Sequence, residues 1–233
     1  MAIDINTSID RIFYINLDKD VERNAHMLEQ FAKHNITNYE RFPAIEGTLE
    51  MAQTYNFFGP FNHEVGQNGC DRLTCPLCIR YKKGSVGCLL SHRRIFEMAK
   101  ERRYQHIIIL EDDVEFVDNF GAKFAEQVSR FVKDVGYWNI LYLGFGGYEK
   151  NPKNVLINDY LMKIIGGYGA YGYMINSNIF DYLILNIDYA RVEIDLLFNS
   201  LNSKNAIHSY LLKDKLINHN DIYESNIQPQ PKK

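Results

Sequence analysis

The most constraining stretch of the chain is Ile107–Phe116, I-I-I-L-E-D-D-V-E-F, in which four aliphatic residues run directly into three consecutive carboxylates. A short β-branched run without polar alternation predicts a strand buried on both faces, as in the parallel sheets of α/β proteins. Glu111, Asp112 and Asp113 then stand at its carboxyl end, where open α/β sheets bind their ligands. If extended geometry persists through the triplet, period two puts Glu111 and Asp113 on one side and Asp112 on the other, so the first and third acids can share a ligand.

Adjacent carboxylates repel, and partial burial raises the cost. No lysine or arginine lies in the triplet or on the run before it. The arrangement therefore asks for a positively charged neighbour or a hard divalent ion, Mg²⁺ or Mn²⁺, held by one or two acids and completed by substrate phosphates and water. A solvated acidic turn after a buried strand explains the triplet alone equally well.

With 233 residues, 46% of them hydrophobic and 24% charged, the chain can bury a full core as one α/β domain. Its formal charge of −3 gives no reason to expect nucleic acid or an anionic membrane as partner. Sixteen tyrosines against one tryptophan suit a surface that stacks on polar ligands, though core packing uses tyrosine too. The opening M-A-I-D-I-N-T-S-I-D lacks the basic and apolar regions of a signal peptide, and no apolar run reaches the length of a membrane span. The expectation is a soluble, intracellular protein.

In chain order, Arg11–Leu17 predicts a first strand, Asp18–Asp20 a capping turn, and Val21–Lys33 a helix burying Met27, Leu28 and Phe31. Tyr39–Ile45 predicts a second strand ending at Glu46-Gly47, which completes a β-α-β unit. Asn16, Asp18 and Arg23 then lie at or just past a strand's carboxyl end, where a base, ribose or phosphate can be met, although Asn and Asp also favour turns for backbone reasons alone. Residues 54–83 break the pattern as a cysteine-containing loop insertion. Cys70, Cys75 and Cys78 follow C-x4-C-x2-C, and His63 can complete a structural Zn²⁺ site; ordinary thiols on a long loop are the competing reading. A helix is predicted over Val86–Arg103, capped by Ser85, with Cys88, His92, Ile95 and Ala99 on one face, and Gly84 and Gly87 near its start can admit a phosphate. Further on, the pattern predicts a helix over Asn119–Asp134, a strand over Trp138–Gly144 and a strand-like run over Ile164–Ile175. Glu193 and Asp195 come at the start of a helix, where an acid is commonly a cap or dipole partner. Residues 228–233, Q-P-Q-P-K-K, read as a flexible tail after a domain spanning 1–227.

Taken together, F-Y-I-N-L-D-K-D-V-E-R at 13–23, A-I-E-G at 44–47, G-S-V-G-C-L-L-S-H at 84–92, I-I-L-E-D-D-V-E-F at 108–116 and W-N-I-L-Y-L-G at 138–144 resemble glycosyltransferase family 25, which contains lipooligosaccharide and procollagen galactosyltransferases. The resemblance implies a GT-A type fold, a Rossmann-like mixed sheet flanked by helices in a single domain. It implies a metal-dependent transferase that moves a hexose, galactose or glucose, from a UDP-sugar to a glycan or a collagen-like hydroxylysine acceptor, with Mn²⁺ or Mg²⁺ as cofactor. By the same likeness Glu111 and Asp113 are metal ligands and His219 a third; Asn16, Leu17, Arg23, Glu111 and Asp112 bind the donor. Asp195 is the candidate general base, with Glu193 as rival because the motif here reads V-E-I-D where relatives carry V-D-E. Ser91 and His92 match a paired S-H for which a structural hydrogen-bond role is the default. A catalytically silent nucleotide-sugar-binding relative and an aspartate-dependent phosphohydrolase are the alternatives, the latter disfavoured by the absence of a D-x-D-x-T-like run.

Overall fold

The computed structural model describes residues 3–55, 75–147, 151–220, 222, 223, 225 and 227. In chain order its strands and helices begin with β1 (Arg11–Asn16), α1 (Val21–Lys33), β2 (Tyr39–Pro43), α2 (Leu49–Thr54) and α3 (Pro76–Glu101). They continue with β3 (His106–Glu111), β4 (Val114–Phe116), α4 (Phe120–Asp134), β5 (Ile140–Gly146), β6 (Val155–Leu156), β7 (Leu161–Ile164) and β8 (Tyr168–Asn176). After a 3-10 turn at Ser177–Ile179 come α5 (Phe180–Asp188), α6 (Ile194–Ser203), β9 (Ser209–Leu212) and β10 (Ile217–His219).

Eight strands form one mixed sheet in the order β2-β1-β3-β8-β5-β9-β7-β6. The first three run parallel, and β8 joins β3 antiparallel. The aliphatic run is β3, and its residues alternate between two cores. Ile107 and Ile109 enter the one built with α3, α5 and α6, while Ile108 and Leu110 enter the one built with α1 and α4. A strand that faces helices on both sides has no water-facing positions, which is why the sequence there shows no polar alternation. All four side chains are at most 1% exposed, and each contributes up to about 1.5–3 kcal/mol of apolar burial. The mixed sheet between helical layers is the fold class expected.

Several local expectations change. Leu28 is exposed, and the buried face of α1 is instead Arg23, Met27 and Phe31. Asp20 sits at the N-cap of α1 without a side-chain capping bond. Helix α3 starts at Pro76 rather than Val86, with the proline in its first turn, so Ser85 lies inside the helix and caps nothing. The stretch from 164 to 175 is not one strand: β7 ends at Ile164 and β8 begins at Tyr168. Residues 56–74, with His63 and Cys70, and the tail at 228–233 lie outside the described residues; Cys75 is at the N-cap of α3 and Cys78 is buried in its first turn. Among the described residues, no helix is long and apolar enough to cross a membrane.

Candidate functional site

Because β1, β2 and β3 are parallel, their carboxyl ends open on the same side, and there a cavity of about 640 Å³ is lined by Ile15, Leu17, Ala44, Ile45 and Glu111 among others. That volume falls within the roughly 300–1,000 Å³ of small-molecule sites. The opposite wall is α3, which contributes Ile79, Arg80, Lys83, Gly84, Cys88 and Ser91. The wall is close because two glycines meet: a Cβ on Gly87 would stand 2.3 Å from Ile45 O, and one on Gly47 1.9 Å from Lys83 O. Ser91 fastens the same contact, accepting from Ile45 N at 2.9 Å and donating to Gly87 O at 2.7 Å. Gly87 thus admits backbone, and Gly84 faces Ile227.

Glu111 ends β3, and Asp112 and Asp113 form a turn before β4, so the extended geometry stops at Glu111. The positive neighbour the triplet asks for comes from α1. Arg23 Nη1 donates to Asp112 Oδ1 at 2.6 Å and to Asp113 Oδ2 at 3.0 Å. Burial alone would lower the guanidinium pKa, but Asp112 and then Asp113 more than offset that and raise it. Asp112 spends its other oxygen on Asn16, whose Nδ2 donates at 2.7 Å. Asn16 in turn accepts from Arg41 Nε at 2.8 Å, is 1% exposed, and is absent from the cavity lining. Asn16 therefore holds Asp112, while Leu17, Arg23, Glu111, Asp112, Asp113 and His219 line the cavity.

His219 arrives on β10, which pairs antiparallel with β4 and places it opposite Val114. Asn220 N donates to Asp113 O at 2.7 Å and fixes the crossing. His219 Nε2 lies 3.4 Å from Asp113 Oδ2. Asp113 Oδ1 is buried and has no hydrogen-bond partner among the described residues. Burial, then Asp113 and Asp195, push the Glu111 carboxyl up to about 8. Glu111, Asp113 and His219 line the same corner of the cavity, and carboxylate oxygens are the ligands that Mn²⁺ or Mg²⁺ would take there. No three His, Cys, Asp or Glu side chains among the described residues close into a ligand group. A hard ion held by one or two carboxylates and finished by substrate oxygens does not require such a group.

Asp195 and Glu193 lie outside the cavity lining. Asp195 Oδ2 accepts from Gly169 N at 2.6 Å, an N–H presented by a residue at φ +70° that a side chain would strain. Burial raises the Asp195 pKa, and its charge is felt at both Glu111 and Cys88 on the cavity wall. Glu193 accepts from the Tyr81 hydroxyl, and burial pushes its carboxyl up to about 7. His92 is fully buried, with Nδ1 at 2.7 Å from the Tyr173 hydroxyl, and burial pushes its pKa down to about 3. Reading the sequence missed Lys19, Arg80 and Lys83 on the cavity wall; only the spacing of 80, 83, 84 and 87 along one helix could have pointed to the last two, once the helix was known to start at Pro76.

The family model described as Glycosyltransferase family 25 (LPS biosynthesis protein) matches residues 9–198, which include the cavity-lining ends of β1, β2 and β3 but not His219 on β10. The chain belongs to glycosyltransferase family 25. A family 25 member from Anopheles gambiae is 29% identical over 171 residues, covering 72% of this chain and 27% of that protein. A Mus musculus relative named as an inactive glycosyltransferase 25 family member 3 is 37% identical over 135 residues, 58% of this chain and 22% of that one. Among solved structures, a glycosyltransferase involved in glycosylation of the major capsid of PBCV-1 matches 93% of this chain and 94% of its own, with a TM-score of 0.47 and 9% identity. This family 25 chain spans about a quarter of the length of the curated relatives it matches.

Proposed function

We propose that this family 25 domain transfers a hexose from a UDP-sugar to a hydroxyl acceptor with the help of Mn²⁺ or Mg²⁺. The observation that carries the reading is the acidic corner at the end of β3, opening into a cavity of nucleotide-sugar size at the carboxyl ends of parallel strands. Leu17, Ala44 and Ile45 offer an apolar floor for the base, and Arg23 and Lys83 bring positive charge to the diphosphate. Asp113, with Glu111 and His219 beside it, would hold the ion, which supplies charge neutralisation at the leaving diphosphate when bound.

In the transfer, the acceptor oxygen attacks the anomeric carbon, the bond from that carbon to the diphosphate oxygen breaks, and UDP leaves with the electron pair. The acceptor's proton passes to a carboxylate. Asp195 is our candidate for that base, with Glu193 as rival; Asp195 accepts from Gly169 N, Glu193 from Tyr81, and both stand behind the cavity lining. The acceptor class is a glycan or a collagen-like hydroxylysine.

A second reading, a silent nucleotide-sugar-binding domain, is favoured by the name of the mouse relative. A panel of UDP-sugars assayed for free UDP with Mn²⁺ and acceptor separates the two. Turnover with one UDP-hexose that Asp113→Ala abolishes supports transfer. Binding of UDP-sugar without UDP release supports the silent reading, and phosphate release from a generic ester would sink both.

A further inference from the structure

The acidic turn already contains a cation. Arg23 bridges Asp112 and Asp113 with its side chain only 10% exposed, at distances expected of charge-assisted bonds. The two carboxylates are not held alike. Asp112 has a second anchor in Asn16, itself braced by Arg41 and by its bond to Asp20 O at 3.1 Å. Asp113 has a buried Oδ1 with no partner among the described residues, and its Oδ2 is shared between Arg23 and the nearby His219. If the guanidinium withdraws, Asp112 stays seated while Asp113 exposes a full negative charge beside Glu111. Where it now stands, the guanidinium also lies 5.3 Å from the Tyr223 ring, a contact that favours a cation over an aromatic face. Tyr223 is steadied by His26, their rings 5.6 Å apart.

We propose that Arg23 is a resident cation that competes with a divalent ion for Asp113, and that a diphosphate relieves the competition by taking the guanidinium. The inference rests on the reading of Asp113 as the ion's ligand. Its consequence is a coupling: nucleoside diphosphate and metal strengthen one another through this side chain in addition to any direct ligation of the ion by phosphate. Arg23 is thereby a positioning residue that sets metal affinity and makes it depend on the donor. In its absence, the ion meets Asp113 without a rival charge and depends on the nucleotide only through the phosphate oxygens it binds directly.

The test is Mn²⁺ binding followed by the electron paramagnetic resonance of the free ion, with and without UDP, in the unmodified protein and in Arg23→Gln. An opposite charge a few ångströms away alters a proton's affinity by about ten- to a thousandfold, and the same field acts on a metal ion. The expected result is that UDP tightens Mn²⁺ at least roughly tenfold in the unmodified protein, while Arg23→Gln binds Mn²⁺ alone at least roughly tenfold tighter and shows a smaller UDP effect, the part left by direct phosphate ligation. Unchanged or weaker binding by a folded Arg23→Gln overturns the inference and leaves the proposed function standing. No Mn²⁺ binding by the unmodified protein, with or without UDP, overturns both. Should Arg23→Gln fail to fold, the guanidinium resonance of Arg23 in the unmodified protein decides: a shift on adding Mg²⁺ with UDP supports the exchange, and an unmoved signal overturns it.

Discussion

Replacing His92 with glutamine isolates one buried group whose titration is far from its ordinary range. The imidazole sits inside the core between α3 and β8, fully buried, with its Nδ1 on the Tyr173 hydroxyl and its Nε2 without a partner among the described residues. Burial holds its pKa near 3, against 6.5 in an unfolded chain. A histidine with a lowered folded pKa contributes nothing above 6.5 and costs stability as pH falls below it, because the unfolded state takes up the proton first. At about pH 5, 1.5 units below the unfolded value, linkage gives a loss of about 2 kcal/mol relative to about pH 7.5. Glu111 and Glu193, with pKa values pushed up to about 8 and about 7, titrate in the opposite sense. Their contribution is common to both proteins and cancels in the difference. His92→Gln keeps a polar partner for Tyr173 and removes only the titration. Urea unfolding followed by the fluorescence of Trp138, the lone tryptophan and nearly buried, reads the effect directly. The variant should be less sensitive to acid than the unmodified protein by about 2 kcal/mol between about pH 7.5 and about pH 5. Parallel loss in the two proteins would refute the reasoning.

Two further outcomes follow from the same geometry. In Gly87→Ala the new methyl would stand 2.3 Å from Ile45 O and 2.7 Å from Gly47 N, so the 45–47 wall must move; a stability loss of about 1–3 kcal/mol is expected, seen as a lower melting temperature with weaker UDP binding by calorimetry, and an unaltered pair of values would show that the wall is not set there. In Glu193→Gln the pH dependence should change sign relative to His92→Gln: a carboxyl raised to about 7 from 4.5 binds a proton in the folded state, so the unmodified protein loses stability relative to the variant as pH rises from about 4.5 through 7 and no further above it. Denaturation midpoints that track together across that window would rule out the buried placement of Glu193.

Strands β1, β2, β3 and β5 and the acidic triplet were legible before any fold was known. An uninterrupted aliphatic run can only be covered on both faces, and Ile107–Leu110 are shared between two cores as that requires. Helix α3 was misjudged at its start because Pro76 and the cysteines beside it read as loop, although a first helical turn tolerates proline, and local propensity charges glycines such as Gly84 and Gly87 about 1 kcal/mol each in a helix. In the folded chain those positions are where Ile227 and the 45–47 backbone come close, so packing repays the cost. Leu28 was misread for the reverse reason: a pattern suggests which side of a helix is apolar, but not which neighbour is present to cover it.

What the chain's own order of residues determined is thus the local part: where a both-sides-buried strand must run, that three acids follow it, and that five spaced motifs identify family 25. Only tertiary structure decided which charge answers those acids. Arg23 and Asn16 stand 89 and 96 positions from Asp112, and His219 reaches Asp113 across a two-stranded pairing of β4 and β10. No periodicity encodes such meetings. They arise because parallel strands deliver their ends to one edge of the sheet, and because burying opposite charges together there costs less than leaving either alone.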